Sequence, residues 1–191
     1  MDEPKFFIAK ATLKVAFASV ILYIFWFLRE YAFSDRFGIS EELDAFLVAH
    51  SIPIFLGTLL MVSLQTVFVP LYLEVYQEDG LIGAARFRDR VLSWLLVISL
   101  GGMVCQGLLS FPLIHWLGAG LSPPMVKISY QLYIVQIPIM LFCGLFGLAT
   151  GLLIAEKHYL SVTLLPAVSS LIPALMVWFL RDFIGAYSLA W

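Results

Sequence analysis

Long uncharged apolar runs dominate this sequence and restrict what it can fold into. Hydrophobic residues make up 62% of the 191 residues and charged residues only 13%, whereas soluble domains average about 45–50% apolar and about 25% charged residues. Several runs approach or exceed the roughly 20 residues that a helix needs to cross the hydrocarbon core of a bilayer. The sequence therefore predicts an all-α polytopic membrane protein.

Polar turns divide the apolar sequence into five predicted spans and the start of a sixth. The spans are residues 8–36, 41–76, 84–109, 125–155 and 159–180, with 183–191 opening a sixth, a polar turn at 77–80 and an irregular link at 111–124. Ser40 followed by Glu41 and Glu42 is a typical helix start, because serine caps backbone N–H groups and acids favour the positive end of the helix dipole. We expect one transmembrane unit over residues 1–191.

Helix-breaking residues inside the predicted spans indicate bends. They are Pro53, Gly57 and Pro70 in the second span and Pro138 in the fourth. An interior proline removes a backbone hydrogen bond and kinks the helix, and in a membrane the freed groups need protein or water as partners. We therefore expect the second span to be bent and to line a cavity. Small residues at Gly144, Gly147 and Gly151 predict a close helix contact.

The distribution of basic residues predicts the orientation in the membrane. With a cytoplasmic N-terminus, seven basic residues fall inside and four outside, which together are the 11 in the chain. The inside set is Lys5, Lys10, Lys14, Arg86, Arg88, Arg90 and Lys157, and the outside set is Arg29, Arg36, Lys127 and Arg181. Because cytoplasmic loops carry an excess of lysine and arginine, we expect the N-terminus to be cytoplasmic.

Composition and motifs argue against several other functions. The net charge is −2, and the sequence has no basic patch with interleaved aromatics, so nucleic-acid binding is not expected. Neither a G-x-x-x-x-G-K-[ST] phosphate loop nor an H-E-x-x-H zinc motif occurs. Cys105 and Cys143 lie inside apolar runs without metal-type spacing. We therefore predict no enzyme activity, cofactor or metal site.

Two basic residues of the first span are candidate binding residues. Lys14 lies about one turn inside the span and either snorkels to the interface or faces a cavity. Arg29 lies at the other end. It is either an interfacial anchor paired with Glu30 or Asp35, or a contact for an anion, because arginine binds phosphate oxygens bidentately.

Two residues of the second span are further candidates. Asp44 lies near the helix start, where an acid is favoured by the dipole without any function. His50 lies before Pro53 and either titrates near neutrality or is hydrogen-bonded within the bundle. The glutamines inside the spans either link helices or line a wet cavity; these are Gln65, Gln106, Gln131 and Gln136.

A series of short sequence pieces resembles a known family. In order they are Phe27–Leu28–Arg29–Glu30, Arg36–Phe37–Gly38, residues 44–49, Ile52–Pro53 and residues 68–74. Their order and spacing resemble the start of the MurJ/MviN-type lipid II flippases of peptidoglycan synthesis. That family belongs to a superfamily which also holds multidrug exporters of the MATE type and polysaccharide flippases.

The resemblance implies a two-lobed helical fold that alternates between inward-open and outward-open states in the bacterial inner membrane. It implies a lipid-linked saccharide diphosphate as substrate, surrounded by membrane lipids. By position, Arg29 matches one of the first-helix arginines of the family and Asp44 matches its second-helix aspartate. Lys14 and His50 are added as cavity candidates from the residues alone.

The chain also departs from the family pattern. Tyr23 and Gly57 replace arginines of the first and second helices, and Ser170 replaces a fifth-helix asparagine. The family has about fourteen helices, whereas this chain reaches only the start of a sixth, so we expect a fragment of a longer transporter. The missing helices would then continue the chain or form a separate partner. The alternatives are a polysaccharide-precursor or multidrug exporter, and a truncated or split membrane subunit that does not transport.

Overall fold

The computed structural model describes residues 3–38, 40–166 and 169, and all of its elements are helical. The elements are α1 (Glu3–Phe37), α2 (Glu41–Ser63), a π-helical turn (Leu64–Phe68), α3 (Val69–Leu117), α4 (Pro123–Gln136) and α5 (Ile139–Ala155), with further helical residues at 159–166. The predicted all-α class is confirmed. The rest of the predicted fifth span, the start of the sixth and Ser170 lie outside the described residues.

Three described helical stretches are long and apolar enough to cross a membrane. They are Thr12–Ala32, Glu41–Leu117 and Pro123–Ala155. The second stretch has 77 residues and would be about 115 Å long if straight, whereas the hydrocarbon core is about 30 Å thick. A helical stretch of this length has to turn back on itself.

The chain reverses at Gly80. This residue has φ 66° and ψ −164° inside the hydrogen-bonded run of α3, a conformation that is open to glycine because it has no Cβ. On either side of the reversal, the rings of Phe68 and Phe87 stack with centroids 5.7 Å apart. The first part of α3 therefore lies on one side of a hairpin and the long second part on the other, with the polar residues around Gly80 at its tip.

Two of the four expected helix breaks coincide with interruptions. The π-helical turn ends at Phe68, two residues before Pro70, and a turn at Ile137 and Pro138 separates α4 from α5. Proline has no N–H to donate and crowds the carbonyl four residues earlier, which in the case of Pro70 belongs to Thr66 of the π turn.

At the other two positions the helix is not interrupted, since α2 continues through Pro53 and Gly57. A proline removes only one bond of the ladder. Both residues are buried, and Gly57 lies against Cys143 of α5. The bend expected there stays a prediction. Helix α3 extends to Leu117 instead of ending near residue 109. The irregular link predicted at 111–124 is therefore wrong for its first half, where Ser110 and Ile114 share a buried face.

The chain divides into two units. One contains residues 40–156, and the described part of the other contains α1 and residues 157–166. In the larger unit, Phe68, Leu95 and Leu148 form an apolar cluster that joins the π turn, α3 and α5. Many apolar side chains in the spans are exposed, as expected where the surrounding solvent is lipid.

The predicted close helix contact is present along α5. A Cβ added to Gly147 would lie 2.7 Å from the Cα atom of Met61 in α2, and a Cβ on Gly144 would lie 2.6 Å from Leu95 in α3. At Gly151 the nearest atom is a ring carbon of Phe68 at 3.2 Å. The three glycines let α5 pack directly on the α2–α3 hairpin.

Candidate functional site

The basic candidates Lys14 and Arg29 lie on α1, in the smaller unit. They are 15 residues apart, which corresponds to about 22 Å along a helix, so they cannot contact the same small group. Lys14 is exposed. Its position within the Thr12–Ala32 span is compatible with both alternatives, snorkelling and a cavity.

Arg29 forms an ion pair with its neighbour Glu30. The Arg29 Nη2 and Glu30 Oε1 atoms are 2.6 Å apart, and the two side chains are 35% and 63% exposed. The ion pair expected of an interfacial anchor is thus present, and its partner is Glu30. A guanidinium carries five N–H donors, so the ion pair with Glu30 does not by itself prevent Arg29 from binding a phosphate.

Tyr23, which stands where the family pattern has an arginine, contacts an aromatic neighbour on the same helix. Its ring meets that of Trp26 edge to face, with centroids 6.1 Å apart.

The acidic candidate Asp44 lies in the first turn of α2, in the larger unit. Ser40 caps this helix, since its hydroxyl accepts a hydrogen bond of 3.3 Å from the Leu43 amide. The predicted helix start is confirmed. The backbone N–H of Asp44 donates to the Ser40 carbonyl at 3.2 Å, and its carboxylate is exposed. Its place at the positive helix end accounts for an acid there and leaves the carboxylate accessible.

His50 lies at the contact between α2 and α4. Its Nδ1 is 2.6 Å from the Oε1 atom of Gln136, and its ring stacks on Phe46 with centroids 5.1 Å apart. Because an amide oxygen only accepts, His50 Nδ1 carries the proton of this bond. Ser129 of α4 donates to the Ala45 carbonyl of α2 at 3.0 Å, which extends the same seam.

Two polar side chains near the end of α4 are buried. Gln136 is 1% exposed and Tyr133 is 0% exposed. Within the part of the chain that the structure describes, Gln136 Nε2 and Tyr133 Oη are buried without a hydrogen-bond partner. Such groups are costly in an apolar interior. We call His50, Tyr133 and Gln136 the polar cluster; it lies where α4 ends and the turn at Pro138 begins.

The position of Gly57 is a packing contact. A Cβ added there would lie 3.0 Å from both the Cβ and Sγ atoms of Cys143 in α5. A long cationic side chain at residue 57 would have to displace α5 or leave the helix interface. The packing around residue 57 therefore fits a glycine and not the arginine of the family pattern.

The polar links between helices answer one question that the sequence left open. Gln65 Nε2 of the π turn donates to Thr150 Oγ1 of α5 at 2.8 Å. Gln106 Nε2 of α3 lies 3.4 Å from Met140 Sδ of α5. Together with Gln136, these glutamines link helices, and for Gln65 and Gln136 the partners are 85 and 86 residues away in sequence.

The structure brings only some of the predicted residues together. His50 contacts Gln136, whereas Asp44 lies six residues earlier on α2, about 9 Å along the helix. Sequence reasoning missed Tyr133 as a member of the polar cluster, because a tyrosine in an apolar span reads as a core residue. Among the described residues, no group of three or more His, Cys, Asp or Glu side chains could hold a metal ion.

The sequence of this helical membrane protein is similar to those of known flippases. The family model described as Lipid II flippase MurJ matches residues 33–191. The chain is 25% identical over 167 residues to the Lipid II flippase MurJ of Thermosipho africanus, covering 83% of this chain and 34% of the relative. It is 29% identical over 157 residues to the Probable lipid II flippase MurJ of Synechocystis sp., covering 82% and 29%.

A third relative is the Probable lipid II flippase MurJ of Rhizobium tropici, which is 25% identical over 169 residues and covers 86% of this chain and 32% of its own length. The chain thus spans about a third of the length of these curated relatives. No solved structure gives a significant match. Since the family model covers most of the chain, and the helices are those of a membrane-embedded protein, the chain belongs to the MurJ lipid II flippase family.

Proposed function

We propose that this chain forms part of a flippase which moves an undecaprenyl diphosphate-linked oligosaccharide across the bacterial inner membrane. The observation that carries the proposal is the family match over residues 33–191. The N-terminus lies in the cytoplasm, as the seven-to-four distribution of basic residues favours. The protein acts by alternating access and performs no covalent chemistry on its cargo.

Arg29 is the proposed contact for the diphosphate. Cations inside membrane spans are costly, and as a rule they mark substrate pathways. An arginine can bind two phosphate oxygens at once. The Glu30 carboxylate lies 2.6 Å from the guanidinium, so a diphosphate would compete with a carboxylate for the same donors.

Gly57 supports a headgroup site with fewer cations than the family pattern. The close contact with Cys143 has no room for a long side chain, so no cation from this position reaches a substrate. We therefore propose that Asp44 and His50 contribute polar contacts to the sugar rather than charge to the diphosphate. The carboxylate of Asp44 accepts hydrogen bonds from hydroxyl groups.

The relatives are about three times as long as the segment that this chain matches, so their additional helices are candidates for the partners of this chain. Alternating access needs two helical halves that rock around a central site, and the described helices supply too few for both. We propose that further helices, on the same chain or on a separate one, complete the transporter. Membrane lipids surround the assembly, and the lipid-linked saccharide enters it.

A chimaera tests the proposed function. In the Synechocystis relative, the segment that this chain matches is replaced by the chain itself, and the chimaera is expressed in bacteria depleted of their own flippase. We expect growth to be rescued, and Arg29→Ala to reduce rescue at least tenfold in colony count. Rescue that is insensitive to Arg29→Ala and Asp44→Ala combined would refute the site assignment.

Glu30→Gln is the matched control. It removes the ion-pair partner of Arg29 but leaves the guanidinium in place. If Arg29 only anchors the helix through this pair, Glu30→Gln and Arg29→Ala should impair growth equally. We expect Glu30→Gln to retain rescue, because the substrate contact is then intact.

A further inference from the structure

Two arginines after the Gly80 reversal line a cavity at the tip of the α2–α3 hairpin. Arg86 and Arg90 are four residues apart and so share one face of α3. They line a cavity of about 570 Å³ together with Asp79 and apolar residues of α3. In the described part of the chain neither arginine forms an ion pair, whereas Arg88 between them pairs with Asp89 at 2.7 Å.

The cavity has an uncompensated positive charge. Its charged lining residues are Asp79, Arg86 and Arg90, so two cations face one carboxylate. Two guanidinium groups on one helix face suit a single phosphate group, which can take bidentate hydrogen bonds from each. The cavity therefore favours a ligand with one or two negative charges.

An apolar groove adjoins the same arginine. It encloses about 480 Å³ between the π-turn region and α3, and all of its lining residues except Ser63 and Arg90 are apolar. On the arm of α3 that follows Gly80 it extends from Phe87 to Ile98, about 16 Å along the helix axis. Phe87 and Arg90 line both spaces, so the cationic cavity and the apolar groove are adjacent.

The groove has the environment of a lipid tail at the membrane interface. Trp94 lines it and is 62% exposed, and tryptophan is enriched at the level of the headgroups. In a bilayer the solvent that fills an apolar groove is an acyl chain. Basic pockets between membrane helices bind the headgroups of anionic lipids.

We propose that this combined site, the Arg86–Arg90 cavity with its groove, binds an anionic glycerophospholipid of the membrane. The phosphate lies at Arg86 and Arg90, and one acyl chain lies in the groove along Val91 and Trp94. The site is formed by residues other than the proposed contact at Arg29, and its lipid binding does not depend on the transport activity. A bound anionic lipid would hold the tip of the hairpin at the level of the membrane interface.

Fluorescence quenching at Trp94 tests the proposal. Of the five tryptophans, Trp94 alone is kept and the others are changed to phenylalanine. The purified chain is titrated in detergent with brominated dioleoyl phosphatidylglycerol or brominated dioleoyl phosphatidylcholine. We expect about a tenfold preference for phosphatidylglycerol, because a cation near the membrane surface contributes about fivefold and Asp79 offsets part of two such contributions.

Charge variants separate a specific site from general attraction. In Arg86→Gln/Arg90→Gln the preference should fall to about one, and in the control Arg88→Gln it should stay near tenfold, because Arg88 is already paired with Asp89. An unchanged preference in the double variant would overturn the proposal. An equal loss in Arg88→Gln would overturn it too, since the effect would then be diffuse surface charge.

Filling the groove gives a second readout if the double variant fails to fold. Ser63 lines the groove, and Ser93 of α3 is also exposed, with a hydroxyl that likewise donates to a carbonyl four residues earlier. Ser63→Leu should weaken quenching by both lipids severalfold, and Ser93→Leu should leave it unchanged. Equal effects of the two changes would contradict an acyl chain in the groove.

A competition experiment identifies the occupant. Undecaprenyl diphosphate is added to the chain saturated with brominated phosphatidylglycerol. We expect it to displace the probe no better than unbrominated phosphatidylglycerol does. Displacement at a lower concentration would overturn the proposal, because the groove would then be a path for the transported lipid.

Discussion

His50 and Gln136 show how single polar residues are used in this membrane bundle. Their hydrogen bond of 2.6 Å joins α2 to α4, while the Gln136 Nε2 atom stays buried without a partner among the described residues. Removing the histidine alone would leave the whole amide without that bond, which costs more than replacing both residues by apolar ones. The cluster is therefore a place where paired changes behave differently from single ones.

We predict that His50→Phe destabilises the protein by about 1–3 kcal/mol, and that adding Gln136→Leu recovers a large part of the loss. Phenylalanine keeps the ring that stacks on Phe46, so the change mainly removes the hydrogen bond. The coupling energy should therefore exceed the roughly 0.6 kcal/mol average for such bonds in membrane proteins. Denaturant unfolding of the four variants in detergent measures it.

Ser51→Ala is the control for this cycle. Ser51 is exposed and its hydroxyl donates only to the Val48 carbonyl of its own helix, so its loss should change the free energy of unfolding by less than about 0.5 kcal/mol. Strictly additive effects of His50→Phe and Gln136→Leu would show that the two side chains do not interact.

At the scale of elements, glycines decide how the helices meet. Gly147 allows the backbone of α5 to approach the Cα atom of Met61 in α2, since an added Cβ would lie at 2.7 Å. A backbone atom cannot rotate away as the end of a side chain can. The spacing of Gly144, Gly147 and Gly151 predicted close contact, but it did not identify α2, the π turn and α3 as the partners, because spacing describes one helix only.

We expect Gly147→Ala to destabilise the protein by about 1–3 kcal/mol, the usual cost of overpacking. The matched control is Gly101→Ala in α3, where an added Cβ would meet nothing within 4 Å. That change should be neutral or stabilising by about 0.5–1 kcal/mol, because alanine favours helix. Thermal unfolding in detergent compares the two. A loss of stability at Gly101 as large as at Gly147 would refute the packing argument.

Sequence reasoning located most elements but misjudged some of their limits. The helix start at Ser40 and the turn at Pro138 follow from local chemistry, and both are present. Sequence reasoning did not predict the extension of α3 to Leu117, because Gly118, Gly120 and the pair Pro123–Pro124 are typical of a link. The buried face formed by Ser110 and Ile114 keeps this segment helical, and that burial comes from other helices.

At the scale of the whole molecule, the reversal at Gly80 turns one helical stretch of 77 residues into two arms. If α3 crosses the bilayer after the reversal, the tip of the hairpin and the turn between α3 and α4 face opposite sides. With the proposed cytoplasmic N-terminus, the tip of the hairpin would also lie on the cytoplasmic side, as its basic residues favour. The proposed lipid site then faces the cytoplasmic leaflet.

Cysteine labelling tests this arrangement. In a chain with Cys105→Ala and Cys143→Ala, we expect Glu78→Cys to react with a membrane-impermeant maleimide only from the cytoplasmic side and Gly120→Cys only from the other side. Leu100→Cys, between them on an exposed apolar part of α3, should not react from either. Reaction of both outer positions from the same side would exclude a crossing by α3.

The amino-acid sequence by itself determined the membrane location, the helical class and the family, because long uncharged runs leave no soluble alternative and the family motifs are local in sequence. It also identified Lys14, Arg29, Asp44 and His50 as candidate binding residues, because ionisable residues in or near an apolar span can be recognised one by one in the sequence. Only the tertiary structure decided that His50 meets Gln136, that Gly57 packs on Cys143, and that Arg90 lines both a cationic cavity and an apolar groove. The physical reason is that such contacts depend on how the Gly80 hairpin and α5 pack, and packing between distant segments leaves no periodic signal in either segment alone.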